Sequence, residues 1–273
     1  MDNKAWECEH EVLDLEQVHY CRYINLRALL GLSRPNVGFP DARDFLHPDE
    51  PQFIAVHQMV EIGFALHIET LWQLMWKMEE EDYPSAVKLV KRLTNWTELH
   101  GTLMSALKTN MEPKSFFEFR GALAPASGLE SEQYRIIEIL SGIEPDDTYA
   151  TDRGVDYTFR GFLDRGAEAG EGQPKVRLWT PRLSELSKGN TVRKILRAKV
   201  AKLGVIHEDN PVNPLTQALI EYDKAFCSLR KAHMSVATRQ IGAKPGTGHT
   251  EGVPYLKSAV EKARFFPELW NSE

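Results

Sequence analysis

Residues 215–236 read LTQALIEYDKAFCSLRKAHMSV, and within them Leu215, Leu219, Tyr222, Phe226, Leu229, His233 and Val236 recur at spacings of 4, 3, 4, 3, 4 and 3. That alternation marks one apolar face of a long α-helix. His233 shares the face with six core-type side chains, so its imidazole is expected to point inward. Burial disfavours imidazolium, which leaves the ring neutral with one nitrogen free to accept a hydrogen bond or to ligate. The stripe alone admits a satisfied core histidine as well as a ligand. Fourteen residues downstream, Thr247 lies in the loop Lys244-Pro245-Gly246-Thr247-Gly248-His249, whose Gly-Thr-Gly suggests a backbone segment closing over something bound.

Working outward, helical periodicity dominates and strand-like alternation is scarce, so the spacing predicts an all-α chain. Helices are expected at about 12–33, 50–81, 84–110, 114–124, 130–143, 155–166, 181–204, 212–241 and 254–265. Pro35, Pro40, Pro48 and Pro51 place a loop before the second of these, and Asp49-Glu50 fall near its positive N-terminal end. Residues 166–174, GAEAGEGQP, read as a surface loop rather than a domain boundary, and no repeat of solenoid period is present. A mostly helical chain of 273 residues can fold as a single domain around one core.

A formal charge of -6 and a pI near 5.9 argue against a nucleic-acid or anionic-membrane partner. The richest basic run, Arg193, Lys194, Arg197, Lys199 and Lys202, alternates with Val192, Ile195, Leu196, Val200 and Leu203, and is expected to be the solvated face of an amphipathic helix. Cys8, Cys21 and Cys227 are odd in number and far apart, as suits a reducing cytoplasmic setting, and no secretory leader pattern is visible at the N-terminus. The longest apolar-rich stretch, Phe53 to Trp76, carries His57, Glu61, His67 and Glu69, which argues against a membrane span.

Two further clusters carry chemistry. In His47-Pro48-Asp49-Glu50-Pro51-Gln52-Phe53-Ile54-Ala55-Val56-His57-Gln58, Phe53 and His57 lie four apart on one helical face, setting an aromatic wall beside an imidazole. A buried histidine paired with a backbone carbonyl is the plain alternative. In Phe116-Phe117-Glu118-Phe119-Arg120-Gly121-Ala122-Leu123, Arg120 is either a snorkelling cation or a buried fork for a carboxylate, for which a small-molecule acid is a suitable partner. No zinc framework, P-loop, dinucleotide fingerprint or Ser-His-Asp order occurs. A Cys-x-x-Cys-His haem attachment is absent too, so any haem is expected to be held noncovalently through an axial histidine.

Taken together, the chain resembles the tryptophan 2,3-dioxygenase family. The matching pieces are Tyr20-Cys21-Arg22-Tyr23-Ile24-Asn25-Leu26, the 47–58 segment, Phe116 to Arg120 with Pro125-Ala126-Ser127-Gly128, and Glu132-Gln133-Tyr134-Arg135. His233, Gly246-Thr247-Gly248 and the tail Phe266-Pro267-Glu268-Leu269-Trp270 complete them, in order along nearly the whole chain, with 145–210 poorly matched. The resemblance implies an all-α helical bundle enclosing haem b, and a homotetramer in which residues 1–33 of one subunit pack on a neighbour, with 145–210 a divergent excursion. It implies His233 as the axial ligand of the haem iron, and His57 on the distal side near the indole nitrogen. Arg120 then grips the substrate carboxylate and Thr247 its ammonium. Phe53, Phe116 and Leu123 line the indole slot, Tyr20 and Tyr23 approach from the neighbouring subunit, and Ser127 and Gly128 lie near haem and substrate.

Two departures stand out. The family commonly reads Glu-Leu-Trp-Phe-Lys where this chain has Glu61-Ile62-Gly63-Phe64-Ala65. A glycine inside a helix costs about 1 kcal/mol relative to alanine, so Gly63 suggests altered packing or extra room. The usual second glycine after Gly-Thr-Gly is His249, close to where the loop is expected to cover the substrate. The resemblance implies oxygenation of L-tryptophan, or a substituted tryptophan, by dioxygen at indole C2 and C3, with N-formylkynurenine the default product. It leaves open single-oxygen insertion to an oxindole or hydroxylated product, as in secondary-metabolism relatives. A non-catalytic haem or indole sensor is the reading from a different class.

Overall fold

The computed structural model describes residues 23–31, 47–123, 128, 131–143, 191–203, 210–246, 251–262 and 264–270. Among them every regular element is a helix: α1 (Leu26–Gly31), α2 (Glu50–Glu79), α3 (Tyr83–Asn110), α4 (Pro113–Leu123), α5 (Glu132–Ser141), α6 (Val192–Leu203), α7 (Asn213–Ile241), α8 (Val253–Lys262) and α9 (Pro267–Trp270). The all-α expectation therefore holds. The expected helices at 50–81, 84–110, 114–124, 130–143 and 212–241 agree with α2 to α5 and α7 to within two residues at each end. The one expected at 155–166 lies outside the described residues, as do parts of those at 12–33 and 181–204.

Local chemistry sets the boundaries. The α2–α3 turn is only three residues long, with Glu81 in the left-handed region at φ 61. Asp82 then caps α3 by accepting from the Ser85 amide at 3.2 Å, and Pro84 follows, preset for a first helical turn. Ser131 caps α5 in the same way through the Tyr134 amide at 3.2 Å, and Gly142, at φ 133, ends it. The helix expected to run to 265 stops at Lys262. Beyond it, the buried Asp223 carboxylate accepts from the Phe265 and Phe266 amides, each at 3.2 Å, and from Trp270 Nε1 at 2.9 Å. The tail is thereby folded back onto α7.

Packing follows from the faces. α3 lies along both α2 and α7, α5 and α6 lean on α2, and α8 and α9 cover α7. Leu215, Leu219, Tyr222 and Phe226 are fully buried and Leu229 and Val236 nearly so, as their periodicity predicts. α2 is amphipathic in an unusual sense, because its outer face also presents Met59, Ile62 and Leu66, each close to half exposed. Among the described residues no helix is long and apolar enough to cross a membrane.

The basic run differs from a merely solvated face. Val192 and Leu196 of α6 enter the core, but so does Arg193, which is held by Glu268 at 3.0 Å and donates to the Gly142 carbonyl at 3.3 Å. Arg197 shares Glu268 and Lys199 reaches Glu81 at 2.9 Å. Three of these cations pin the tail and the α2–α3 turn.

Candidate functional site

A cavity of about 310 Å³ opens between α2, α3, α4, α5 and α7, at the low end of the range typical of small-molecule sites. The stripe Phe53, His57, Val60 and Phe64 of α2 forms one wall, because these positions recur every three or four residues. Met104 and Leu107 of α3 and Leu229, His233 and Val236 of α7 form much of the rest. The surface is predominantly apolar, with a few polar groups converging on it.

His57 donates from Nδ1 to the Phe53 carbonyl at 2.7 Å. Placing the proton on Nδ1 makes Nε2 the acceptor of the neutral ring. Burial lowers its pKa below the ordinary histidine value, against the opposing pull of the Phe53 carbonyl and the Glu61 charge. The carbonyl contact is the plain alternative foreseen for this residue, and it leaves the second nitrogen available. Phe53 stacks obliquely on the imidazole, with ring centroids 4.2 Å apart, and its ring also meets Phe116 at 5.8 Å and Phe119 at 5.6 Å.

His233 lines the cavity and is exposed, unlike the six other residues of its stripe. Burial brings its pKa down to about 4, with the charge of His57 adding to the effect. It makes no hydrogen bond among the described residues.

Arg120 enters from α4. Its Nη2 donates to the Pro245 carbonyl at 2.5 Å, while its Nε is buried with no partner among the described residues. Its guanidinium lies 5.7 Å from the Phe117 ring, which Lys244 Nζ also covers at 3.8 Å, so α4 holds Lys244 and Pro245. Gly252 lies against the same segment at φ +74, where a Cβ would come within 2.8 Å of the Lys244 carbonyl. Gly246 and Gly252 both line the cavity. Thr247 and His249, between them, lie outside the described residues.

Of the site residues read from the sequence, the fold brings Phe53, His57, Phe116, Arg120, Gly128 and His233 to this one cavity. Leu123 stands behind it, packed on Met111, Phe116 and Phe119. Tyr23 is not among the lining residues and is 79% exposed. Tyr20 and Ser127 lie outside the described residues. The sequence did not single out a polar cluster on the same wall, in which Arg230 donates to Glu138 at 3.0 Å and to the Tyr134 hydroxyl at 3.2 Å, and Arg135 to Glu138 at 2.5 Å. Burial and the neighbouring Glu138 push the Tyr134 phenol up to about 12. The available signal was Arg230 three residues before His233 on one helix face, but its partners lie some ninety residues away.

Comparison with known proteins is consistent along the chain. A family model described as tryptophan 2,3-dioxygenase matches residues 6–160. The tryptophan 2,3-dioxygenase of Herpetosiphon aurantiacus is 28% identical over 265 residues, covering 92% of this chain and 95% of that protein. Those of Bacillus cereus, 28% identical over 282 residues (94% and 92%), and Bradyrhizobium diazoefficiens, 28% over 275 residues (93% and 91%), match to the same extent.

Proposed function

The chain belongs to the tryptophan 2,3-dioxygenase family, and on that premise we propose that it is a haem-dependent enzyme that dioxygenates L-tryptophan at indole C2 and C3 to N-formylkynurenine. The names of the relatives favour insertion of two oxygens over insertion of one. The observation that carries the reading is the convergence of two neutral imidazoles, His57 and His233, on one apolar cavity that also receives Arg120.

The residues fit haem b. His233, whose lone pair is engaged by no described residue, would hold the haem iron. The apolar wall would suit a macrocycle, and Arg135 and Arg230, two cations sharing the one carboxylate of Glu138, would leave net positive charge beside it for an anionic group. When bound, haem supplies the iron that activates dioxygen.

The chain supplies binding and orientation. His57 accepts the indole N–H at Nε2, because its own proton is committed to the Phe53 carbonyl. Arg120 receives the substrate carboxylate with its planar fork, using the nitrogen that has no partner among the described residues, while its bond to Pro245 holds the segment that leads to the cavity-lining Gly246. Thr247, next in sequence to the cavity-lining Gly246, takes the ammonium with its hydroxyl, and Ser127, Gly128 and His249 are assigned to the same substrate. Phe53, Phe116 and, behind them, Leu123 shape the slot for the ring. Holding the ring edge in register is a large part of catalysis in a site of this kind.

The enzyme works as a homotetramer in the cytoplasm, with Tyr20 and Tyr23 of one subunit completing the pocket of the next. Support comes from the exposure of Tyr23 and the half-exposed Met59, Ile62 and Leu66 stripe, surfaces that a neighbouring copy would cover.

The test is direct. Purified protein is loaded with haem, reduced and mixed with L-tryptophan and oxygen, and the product is weighed by mass spectrometry. A gain of two oxygens, together with loss of the Soret band in His233→Ala, is expected. A gain of one oxygen would assign the monooxygenase outcome, and a Soret band without turnover would leave a sensor.

A further inference from the structure

Gly63 lies on the buried side of α2, directly before the cavity-lining Phe64. A Cβ built there would stand 2.0 Å from His100 Nε2, and the next two nearest atoms, at 2.9 and 3.1 Å, also belong to the His100 ring. The room that the glycine suggested is therefore a seat, and it is filled by a single imidazole from α3. His100 is 1% exposed, and neither of its ring nitrogens has a hydrogen-bond partner among the described residues.

A neutral imidazole carries one N–H, and burying that donor without an acceptor oxygen costs stability that a leucine of similar size would not. What the N–H has instead is an aromatic neighbour. The rings of His100 and Phe64 meet edge to face, with centroids 4.9 Å apart and planes at 81°, the arrangement in which an N–H can point at a π face. Phe64 leans on its other side against Tyr134, at 5.8 Å, which also lines the cavity. Trp96 backs the imidazole at 6.0 Å.

We propose that His100, seated by Gly63, is a positioning residue that fixes the orientation of Phe64 and so holds the inner cavity wall against the ring system of the bound haem. The proposal rests on the haem reading above. It separates stability from function: the imidazole is kept at a cost to the fold, and what it provides is an aromatic wall that does not rotate.

The experiment follows haem loss to excess apomyoglobin, the width of the Soret band and the thermal midpoint. The variants are His100→Leu, His100→Ala, Gly63→Ala and Gly63→Ala/His100→Ala, each haem-loaded. His100→Leu is expected to melt at or above the wild-type temperature and yet to lose haem about two- to tenfold faster, the worth of one edge-to-face aromatic pair. Gly63→Ala is expected to melt lower and to speed haem loss when His100 is present, and to add nothing to haem loss when residue 100 is already alanine. Wild-type haem retention in His100→Leu, or an equal effect of Gly63→Ala in both backgrounds, overturns the proposal. A wild-type protein with no Soret band overturns the haem reading and the proposal with it, whereas a normal wild-type band with unchanged variants removes the proposal alone.

Discussion

Acidification from pH 7 to pH 5 should destabilise this fold more steeply than its carboxylates alone dictate, because two fully buried imidazoles must stay neutral in it. His67 is 0% and His100 1% exposed, and burial brings their pKa values to about 3 and about 4. Both values lie below the unfolded one, near 6.5, so the unfolded chain binds the extra protons. The stability these groups contribute is complete above pH 6.5 and falls away as the pH drops from there toward 4 and then 3. At about 1.4 kcal/mol per unit, each removes roughly 2 kcal/mol by pH 5. Together they remove about 4 kcal/mol, a large share of the 5–15 kcal/mol usual for a folded domain. Glu268, whose pKa Arg193 and Arg197 hold below its ordinary value, loses its contribution only below pH 4.5, and His57 and His233, which burial also lowers, add the same loss to wild type and variant alike and so cancel from their comparison. Urea unfolding of haem-loaded protein at pH 7, 6 and 5, followed by helical circular dichroism, reads the loss. His100→Leu removes one titrating group and should halve this part of it, by roughly 2 kcal/mol at pH 5. Equal losses in variant and wild type would refute the argument, since the orphaned imidazole would then not be resisting protonation at all.

Three further outcomes are expected. Arg120→Lys keeps the charge but loses the fork, and should raise KM for L-tryptophan about 10- to 100-fold while leaving the affinity for carboxylate-free indole nearly unchanged. His57→Ala removes an acceptor for a neutral N–H, so tryptophan binding should weaken about five- to tenfold, with little change for 1-methyl-tryptophan, which lacks that proton. Asp223→Ala should cost about 3–5 kcal/mol in urea unfolding, because three donors anchored on one buried carboxylate lose their acceptor together. Proteolysis of the tail beyond Lys262 is its second readout.

Much of the architecture is written locally. The apolar stripe of α7 and the proline-led starts of α2, α3 and α7 depend on residues within a few turns of one another, which a period of 3.6 exposes. His57 and His233 were legible for the same reason: each is a polar residue out of place on an apolar face. What stayed hidden depends on which helix a side chain meets. Arg193 looked like one cation in a solvated row until Glu268, from the folded-back tail, gave it a buried partner. The Arg230–Glu138–Tyr134 cluster joins α5 to α7 across a stretch of chain that no local pattern spans.

Gly63 shows where local reading stops. As a helix-weakening residue it announced missing volume, but a missing side chain does not say what occupies its place. The occupant comes from α3, thirty-seven residues on, and is brought there by the three-residue turn at Glu80–Asp82. Because that turn makes α2 and α3 antiparallel neighbours, residues 63 and 100 sit at matching heights, about seventeen to nineteen positions on either side of it. The same geometry places His67, one helical turn beyond Gly63, close enough to His100 for a charge on His100 to oppose one on His67. A single glycine therefore admits His100 both to the Phe64 wall and to the vicinity of a second neutral histidine. Altering residue 100 should accordingly move haem retention and acid stability together, whereas altering His67, whose Nε2 is bonded to the Tyr222 hydroxyl at 2.8 Å, should move acid stability alone.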